Sequence, residues 1–281
     1  MLLIHSVRLI HRGFIIETSV KTYTKGNHNM TTEVDNLLSQ LRLAGMRESF
    51  SNRNKEAIKG KLSYQDFLKI LAQDELLHRQ NKRFKRQIKA ANFKSEKTIE
   101  NFDFNFNPKI NEQQIKDLAS CQFIQEASPI HIIGPSGTGK SDLAQALSRC
   151  ALMKGHEALF ISQSELSSQL QLALATNTLS KLKKKLTTVA VLVIDDFGIK
   201  PFSESLEDFL HDIVDHRYER LPIIITSNLD FKEWSDAFRN KLLASAVIDR
   251  LKGNAYEVIL TGKSYRQTKS ENKNIEKDQE V

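Results

Sequence analysis

The stretch "PIHIIGPSGTGKS" at residues 129–141 restricts the fold more than any other part of the chain. A short apolar run ends in a loop of three glycines, a proline and a lysine, and a helix-forming run, "SDLAQALSRCALMKG", follows. The loop fits G-x-x-x-x-G-K-[ST] at every position, with Gly134, Gly139, Lys140 and Ser141 at the fixed places. Glycines let a backbone wrap with its N–H groups turned inward. Those donors, with the positive end of the next helix, form a cradle for phosphate oxygens. Gly134, Pro135, Ser136, Gly137, Thr138, Gly139, Lys140 and Ser141 are therefore the candidate nucleotide contacts. In this pattern the Lys140 ammonium bridges the β- and γ-phosphates, and Ser141 supplies a hydroxyl to Mg²⁺.

The surroundings of the loop predict an α/β fold. Four apolar runs, "PIHII", "ALFIS", "VAVLVID" and "LPIIITSN", alternate with helical stretches at 138–153, 163–186 and 203–220. Short strands that are apolar throughout suit a parallel sheet covered by helices on both faces. In "VAVLVIDDFG" the apolar run puts Asp195 at the C-terminal edge of a buried strand, where it can hold the hydration shell of Mg²⁺. Asp196 beside it can orient or deprotonate an attacking water. "LPIIITSN" ends in Thr226, Ser227 and Asn228, polar groups able to position that water. Arg250 in "SAVIDRLKGN" and Arg266 in "GKSYRQT" can neutralise charge in a transition state, in cis or from a neighbouring subunit. From spacing alone, a surface ion pair is the commoner use of either arginine.

Ahead of this core the pattern is helical and basic. "TTEVDNLLSQLRLAGMRESF" reads as one amphipathic helix, and "LSYQDFLKILAQDELLHRQNKRFKRQIKAANF" as a long one capped by Ser63 and Asp66. The chain carries a net charge of +7, and residues 53–97 alone hold thirteen Lys/Arg against five Asp/Glu. The excess is therefore concentrated in that module, and an anionic polymer such as nucleic acid is the natural partner. Arg79, Lys82, Arg83, Arg86 and Lys89 recur at helical spacing, and Lys183, Lys184 and Lys185 form a second basic run. All eight are candidate DNA contacts. "NFDFNFNPKIN" (101–111) is expected to be a linker that packs onto the next domain.

The expected organisation is a non-native or disordered extension over 1–29, with a start at Met30, a helical basic domain over 30–97, an ATPase domain over 98–268 and a disordered tail over 269–281. No apolar run is long enough to span a membrane. Cys121 and Cys150 lack metal-ligand spacing and read as buried free thiols, which fits a cytoplasmic protein. Trp234 and the scattered histidines read as packing or surface residues.

In these residues the chain resembles the IstB-like ATP-binding proteins of insertion sequences. These are relatives of the helicase loader DnaC in the initiator branch of AAA+ ATPases. The resemblance runs from about Thr31 to Arg266 and is carried by "LRLAGM", "LSYQDFLKILAQDE", "KAANF", "TIENFDF", "GPSGTGKS", "VLVIDDFG", "IITSNLDFKEW", "ASAVIDRL" and "GKSYR". It implies an AAA+ P-loop core with a small N-terminal all-α domain, and ATP-dependent, oligomeric assembly on duplex DNA in support of a separate transposase. It also implies Walker A roles for Lys140 and Ser141, Walker B roles for Asp195 and Asp196, and a sensor I role for Asn228. Arg250 resembles the inter-subunit arginine finger and Arg266 a sensor-II-like arginine. After the tryptophan, where many relatives show Phe-Gly-Asp, this chain has "FRN" at 238–240. Two other readings stay open: a replicative helicase loader, and an ATP-gated scaffold that does not turn over.

Overall fold

The computed structural model describes residues 5–11, 14–20, 30–107, 110–262 and 264. The chain divides into two compact units, Met1–Lys82 and Arg83–Val281. The first unit contains an antiparallel ribbon, β1 (His5–His11) and β2 (Phe14–Val20), with His11 paired to Phe14. It also holds α1 (Met30–Gln40), α2 (Ala44–Gly60) and most of α3 (Tyr64–Ala90). The single helix expected over 31–50 is thus two, because Arg42 adopts a left-handed φ of 57° and turns the chain between them.

Two features of the first unit follow from that turn. A Cβ at Gly45 would lie 2.6 Å from His78 Cβ, so only glycine allows α2 and α3 this close. The buried Glu75 on α3 then accepts from Gly45 N at 2.7 Å and Met46 N at 3.2 Å, donors that the first turn of α2 cannot use internally. Burial opposes the Glu75 charge, but Arg79 Nε at 2.6 Å and the two N–H groups outweigh it and hold the carboxyl below its usual value. Ser63 Oγ caps α3 by accepting from Asp66 N at 3.1 Å, as its sequence position predicts.

In the second unit, β3 (Ile130–Ile133), β4 (Ala158–Ser162), β5 (Val191–Asp195), β6 (Ile223–Ser227) and β7 (Tyr256–Ile259) form one sheet in the order β4-β5-β6-β3-β7. Every pairing is parallel. Successive side chains point to opposite faces and feed two separate cores. Ile130, Ile132, Phe160, Val191, Val193 and Ile224 pack on one side with α6 (Lys140–Met153) and α4 (Glu112–Ala119). Leu159, Ile161, Leu192, Ile194, Ile223 and Ile225 pack on the other, with α7 (Gln163–Ala175), α8 (Leu179–Thr188), α9 (Glu204–Arg217) and α11 (Lys241–Lys252). Each such side chain contributes about 1.5–3 kcal/mol of burial. The α/β class with helices on both faces is therefore the observed one.

The details differ from the sequence pattern in three places. The helix expected at 163–186 is broken between α7 and α8, where Asn177 takes a φ of 54°. The run 111–127, "NEQQIKDLASCQFIQEA", has the composition of one helix but is likewise interrupted at Cys121, φ 62°, between α4 and α5 (Gln122–Gln125). Strand β7 was not anticipated. It is an edge strand in which only Val258 is buried, so its alternation is weaker than that of the central strands.

The tail of α3 and the segment after it belong to the second unit. Phe84, Ile88 and Phe93 pack against the core that contains Ala91 and Phe102, and Ala91 O accepts from Phe160 N at 2.8 Å. The phenylalanine-rich linker packs as expected, with Phe102 buried and its ring 5.2 Å from Phe104. Cys121 and Cys150 are free and buried.

Two buried polar side chains shape the core's energetics. Arg217 is 1% exposed and donates to the carbonyls of Leu186, Val189, Ala190 and Pro222, joining the end of α8 to the entries of β5 and β6. Replacing it by Met leaves four carbonyls without a donor. We expect Arg217→Met to destabilise the unit by about 3 kcal/mol or more in urea denaturation. His131 on β3 is fully buried, with its ring 4.5 Å from Phe231 and 5.2 Å from Trp234. Burial, with Lys252 adding to it, pulls its pKa down to about 3. The folded chain therefore keeps this ring neutral while the unfolded chain protonates below about pH 6.5, so stability falls as pH drops from there toward 3. Between pH 7 and pH 5 the parent should lose about 2 kcal/mol more than His131→Leu, read from urea midpoints at the two pH values.

Candidate functional site

The parallel sheet brings the C-terminal ends of β3, β5 and β6 to one edge, and the phosphate-loop residues leave β3 there. The register sets Ile133 opposite Ser227, and Gly134 N donates to Ser227 O at 3.2 Å. The loop then enters α6 at Lys140 through Gly139, whose φ of 94° makes the N-cap, so the loop runs into a helix N-terminus, the end that favours an anion. Gly137 has a φ of 80°, and a Cβ on it would collide with Ser264 Oγ. Lys140 is buried, its Nζ donating to Gly134 O and Pro135 O at 2.8 Å each. Thr138 Oγ1 donates to Pro135 O at 2.9 Å and closes the turn.

The loop is braced by a residue the sequence pattern did not single out. Asn107, fully buried at the end of the phenylalanine-rich linker, donates from Nδ2 to Thr138 O at 3.1 Å. Its Oδ1 accepts from Gly262 N at 2.9 Å. One amide thus joins the linker, the phosphate loop and the chain leaving β7. Its only signal in the sequence was the break before Pro108.

The acidic pair follows on β5. Asp195 is 6% exposed and Thr226 Oγ1 donates to its Oδ1 at 2.5 Å. The Ser141 hydroxyl, in the first turn of α6, also favours the charged form of this carboxylate. Burial pushes the Asp195 carboxyl above its usual value, while the Thr226 and Ser141 donors pull it back; Asp196 pushes it up further and Lys94 draws it down. The two residues expected to meet Mg²⁺ therefore lie at the same edge of the sheet, one in the first turn of α6 and one at the end of β5. A hard cation that keeps several waters and takes one or two protein oxygens plus phosphate oxygens fits this donor set.

Asp196 occupies a left-handed turn with a φ of 58°, and its N–H donates to Thr226 Oγ1 at 3.0 Å. Thr226 thus accepts from one acid's backbone and donates to the other's side chain. Phe197 N bonds to Thr226 O at 2.9 Å, and Gly198 N to Gln163 Oε1 at 2.7 Å, which fixes the turn after the acids. Asn228 is exposed and directly follows Ser227, so it sits at the same edge. Ser227 Oγ donates to Phe197 O at 2.7 Å and accepts from Trp234 Nε1 at 3.2 Å, which gives the buried tryptophan a structural role. The unusual "FRN" segment is held as well. Arg239 N and Asn240 N donate to the buried Glu207 carboxylate, at 2.5 and 3.1 Å, and Asn240 caps α11.

The arginines separate from this edge. Arg250 pairs with Asp215 at 2.8 Å and donates to Ala246 O at 3.0 Å. It lines a 360 Å³ cleft with Pro129, Leu221 and Ile223, at the N-terminal ends of β3 and β6. The loop leaves the opposite end of β3, a strand of four residues or about 13 Å, so Arg250 does not face its own chain's loop. Arg266 lies outside the described residues, two positions beyond Ser264. Among the candidate DNA contacts, Arg79 is committed to Glu75 and Lys183 to Asp212 at 2.6 Å. Lys82, Arg83, Arg86, Lys89, Lys184 and Lys185 are exposed, with no ion-pair partner among the described residues. Among the described residues, no helix is long and apolar enough to cross a membrane, and no cluster of three or more His, Cys, Asp or Glu is placed to hold a metal.

Comparison with known proteins agrees with this geometry. Residues 36–273 match the family described as IstB-like ATP binding protein. The chain is 32% identical over 234 residues to the ATP-binding protein of insertion sequence IS21 from Pseudomonas aeruginosa, covering 83% of this chain and 88% of the relative. It is also 32% identical to the corresponding IS232 protein of Bacillus thuringiensis subsp. berliner, covering 82% and 92%. The fold is shared with DnaI (TM-score 0.51, 23% identity, 59% of this chain and 92% of that one). It is also shared with the replication initiator DnaA bound to AMPPCP and single-stranded DNA (TM-score 0.52, 21% identity, 60% and 51%).

The brace and the loop can be tested apart from any turnover. Gly137→Ala should weaken binding of a fluorescent ATP analogue by more than about tenfold, because it adds a Cβ to a left-handed residue already against Ser264. Asn107→Leu should weaken it by a comparable factor while the unfolding midpoint moves by only a few degrees.

Proposed function

Since the chain belongs to the family of IstB-like ATP-binding proteins, we propose that it is a DNA-stimulated ATPase. In this reading it assembles as an oligomer on duplex DNA in the cytoplasm and assists a transposase in choosing target DNA and completing strand transfer. The observation that carries the catalytic part is the Thr226 hydroxyl, which donates to Asp195 and accepts from Asp196 N, one residue before the Ser227 carbonyl that holds the phosphate loop at Gly134. Nucleotide binding and water activation are thereby joined at one sheet edge.

In this reading the loop N–H groups and Lys140 hold the phosphates of ATP, the lysine exchanging its carbonyl partners for phosphate oxygens. Ser141 and Asp195 would hold Mg²⁺, which when bound supplies positive charge to the β- and γ-phosphate oxygens. Asp196 takes the proton of the attacking water, and Asn228 orients that water against the γ-phosphate. Arg250, at the far end of the sheet from its own loop, serves the nucleotide of a neighbouring protomer and gives up Asp215 to do so. Arg266 would contact the nucleotide from the segment that follows β7. The DNA contacts come from the basic face of α3, with Arg79, Lys82, Arg83, Arg86 and Lys89, and from Lys183, Lys184 and Lys185. Such contacts neutralise backbone phosphates without reading sequence.

The trans arrangement predicts complementation. Lys140→Ala should lose ATP binding and ATP-dependent assembly on DNA. Arg250→Ala should keep ATP binding and lose hydrolysis by about a thousandfold. Mixing the two inactive proteins on duplex DNA should restore part of the turnover, because intact loops then meet intact arginines. No recovery in the mixture, with both variants folded, would remove Arg250 from the neighbour's site.

A further inference from the structure

Arg83 and Arg86 on α3 and Lys185 on α8 come from basic runs about a hundred residues apart, yet they line the same pocket of 320 Å³ in the second unit. On α3 the lining positions Arg83, Arg86, Gln87 and Ala90 recur at three- and four-residue steps and share one face. The floor is apolar backbone and side chain at Ala158, Leu159 and Val189, where β4 begins and β5 is about to begin. The pocket therefore opens at the end of the sheet opposite the phosphate loop. Its three cations have no ion-pair partner among the described residues. Glu157 is the one acid in the lining and lies within ion-pair distance of none of them, so the lining keeps a net positive charge.

A second observation points to a ligand. Gln87 is 9% exposed, and its Nε2 has no hydrogen-bond acceptor among the described residues. Leaving a buried amide donor without a partner is costly, and an acceptor-rich anion in the pocket would remove that cost. Arginine forks and a neutral amide donor around a small concavity suit a tetrahedral oxyanion better than they suit a carboxylate-lined protein surface.

We propose that this pocket seats a backbone phosphate of duplex DNA on the ATPase unit itself, held by Arg83, Arg86 and Lys185 with Gln87 donating from below. The proposal rests on the DNA-binding reading above and narrows it: the two basic runs act as one site, away from the nucleotide. Val189, in the lining, is also one of the residues whose carbonyl Arg217 grips, so the pocket wall is fixed to the entry of β5.

The test is fluorescence anisotropy of the full chain with a labelled short duplex, titrated at several salt concentrations. Arg86→Ala/Lys185→Ala should bind about tenfold more weakly and show a log K against log salt slope smaller by about two. Gln87→Leu should weaken binding a few-fold with the slope unchanged, because it removes a neutral donor. Lys116→Ala, whose charge pairs with Glu112 on α4, should match the parent. Parent-like affinity and slope in the double variant, or in Gln87→Leu if the double variant fails to fold, would overturn the pocket while leaving the DNA reading intact. A parent chain with no affinity for the duplex would overturn both.

Discussion

The hydroxyl of Thr226 joins the two strands on which chemistry at this edge depends. It donates to the Asp195 carboxylate and accepts from the Asp196 backbone, so one side chain on β6 sets both acids of β5. Ser227, the next residue on β6, in turn accepts from Gly134 N at the start of the phosphate loop. None of these contacts would exist without the parallel register of β3, β5 and β6, since only adjacent C-terminal ends can present all three residues together. The buried cores on either face hold that register, because slipping a strand by one residue would exchange its two apolar sets.

How much of this was legible in the sequence depended on how local each signal was. The phosphate loop and four of the strands could be read because their residues interact mainly within a few positions or are apolar without interruption. Strand β7 was missed because Tyr256 and Glu257 dilute the pattern of an edge strand. The breaks at Asn177 and Cys121 rest on single left-handed residues inside otherwise helix-compatible runs. Asn107 was not legible as a brace, since its partners Thr138 and Gly262 are 31 and 155 residues away. The candidate roles of Arg79 and Lys183 were read from charge alone, and the structure shows each already paired with a carboxylate.

Charge placement separates two ends of the second unit. The nucleotide edge is built of glycine loop, buried acid and short hydroxyl bonds. The opposite end carries Arg250 with its Asp215 pair and, further along, the cations of α3 and α8. Arg217 lies between, holding carbonyls of the α8–β5 and α9–β6 connections with a single buried guanidinium. The exposed cations therefore stand at one end of the sheet and the phosphate loop at the other, with the five-residue strand β5 running between them.

The left-handed turn at Asp196 has a consequence for the kind of acid the position accepts. Short polar side chains tolerate that backbone region better than longer ones, through local hydrogen bonding of the Asx type. A glutamate would extend the carboxylate by a methylene toward bound nucleotide, yet it would do so from a less favourable backbone. Reach and conformational ease therefore oppose each other at this residue, and a variant gaining the first would need a compensating change in the "DDFG" turn to retain the second.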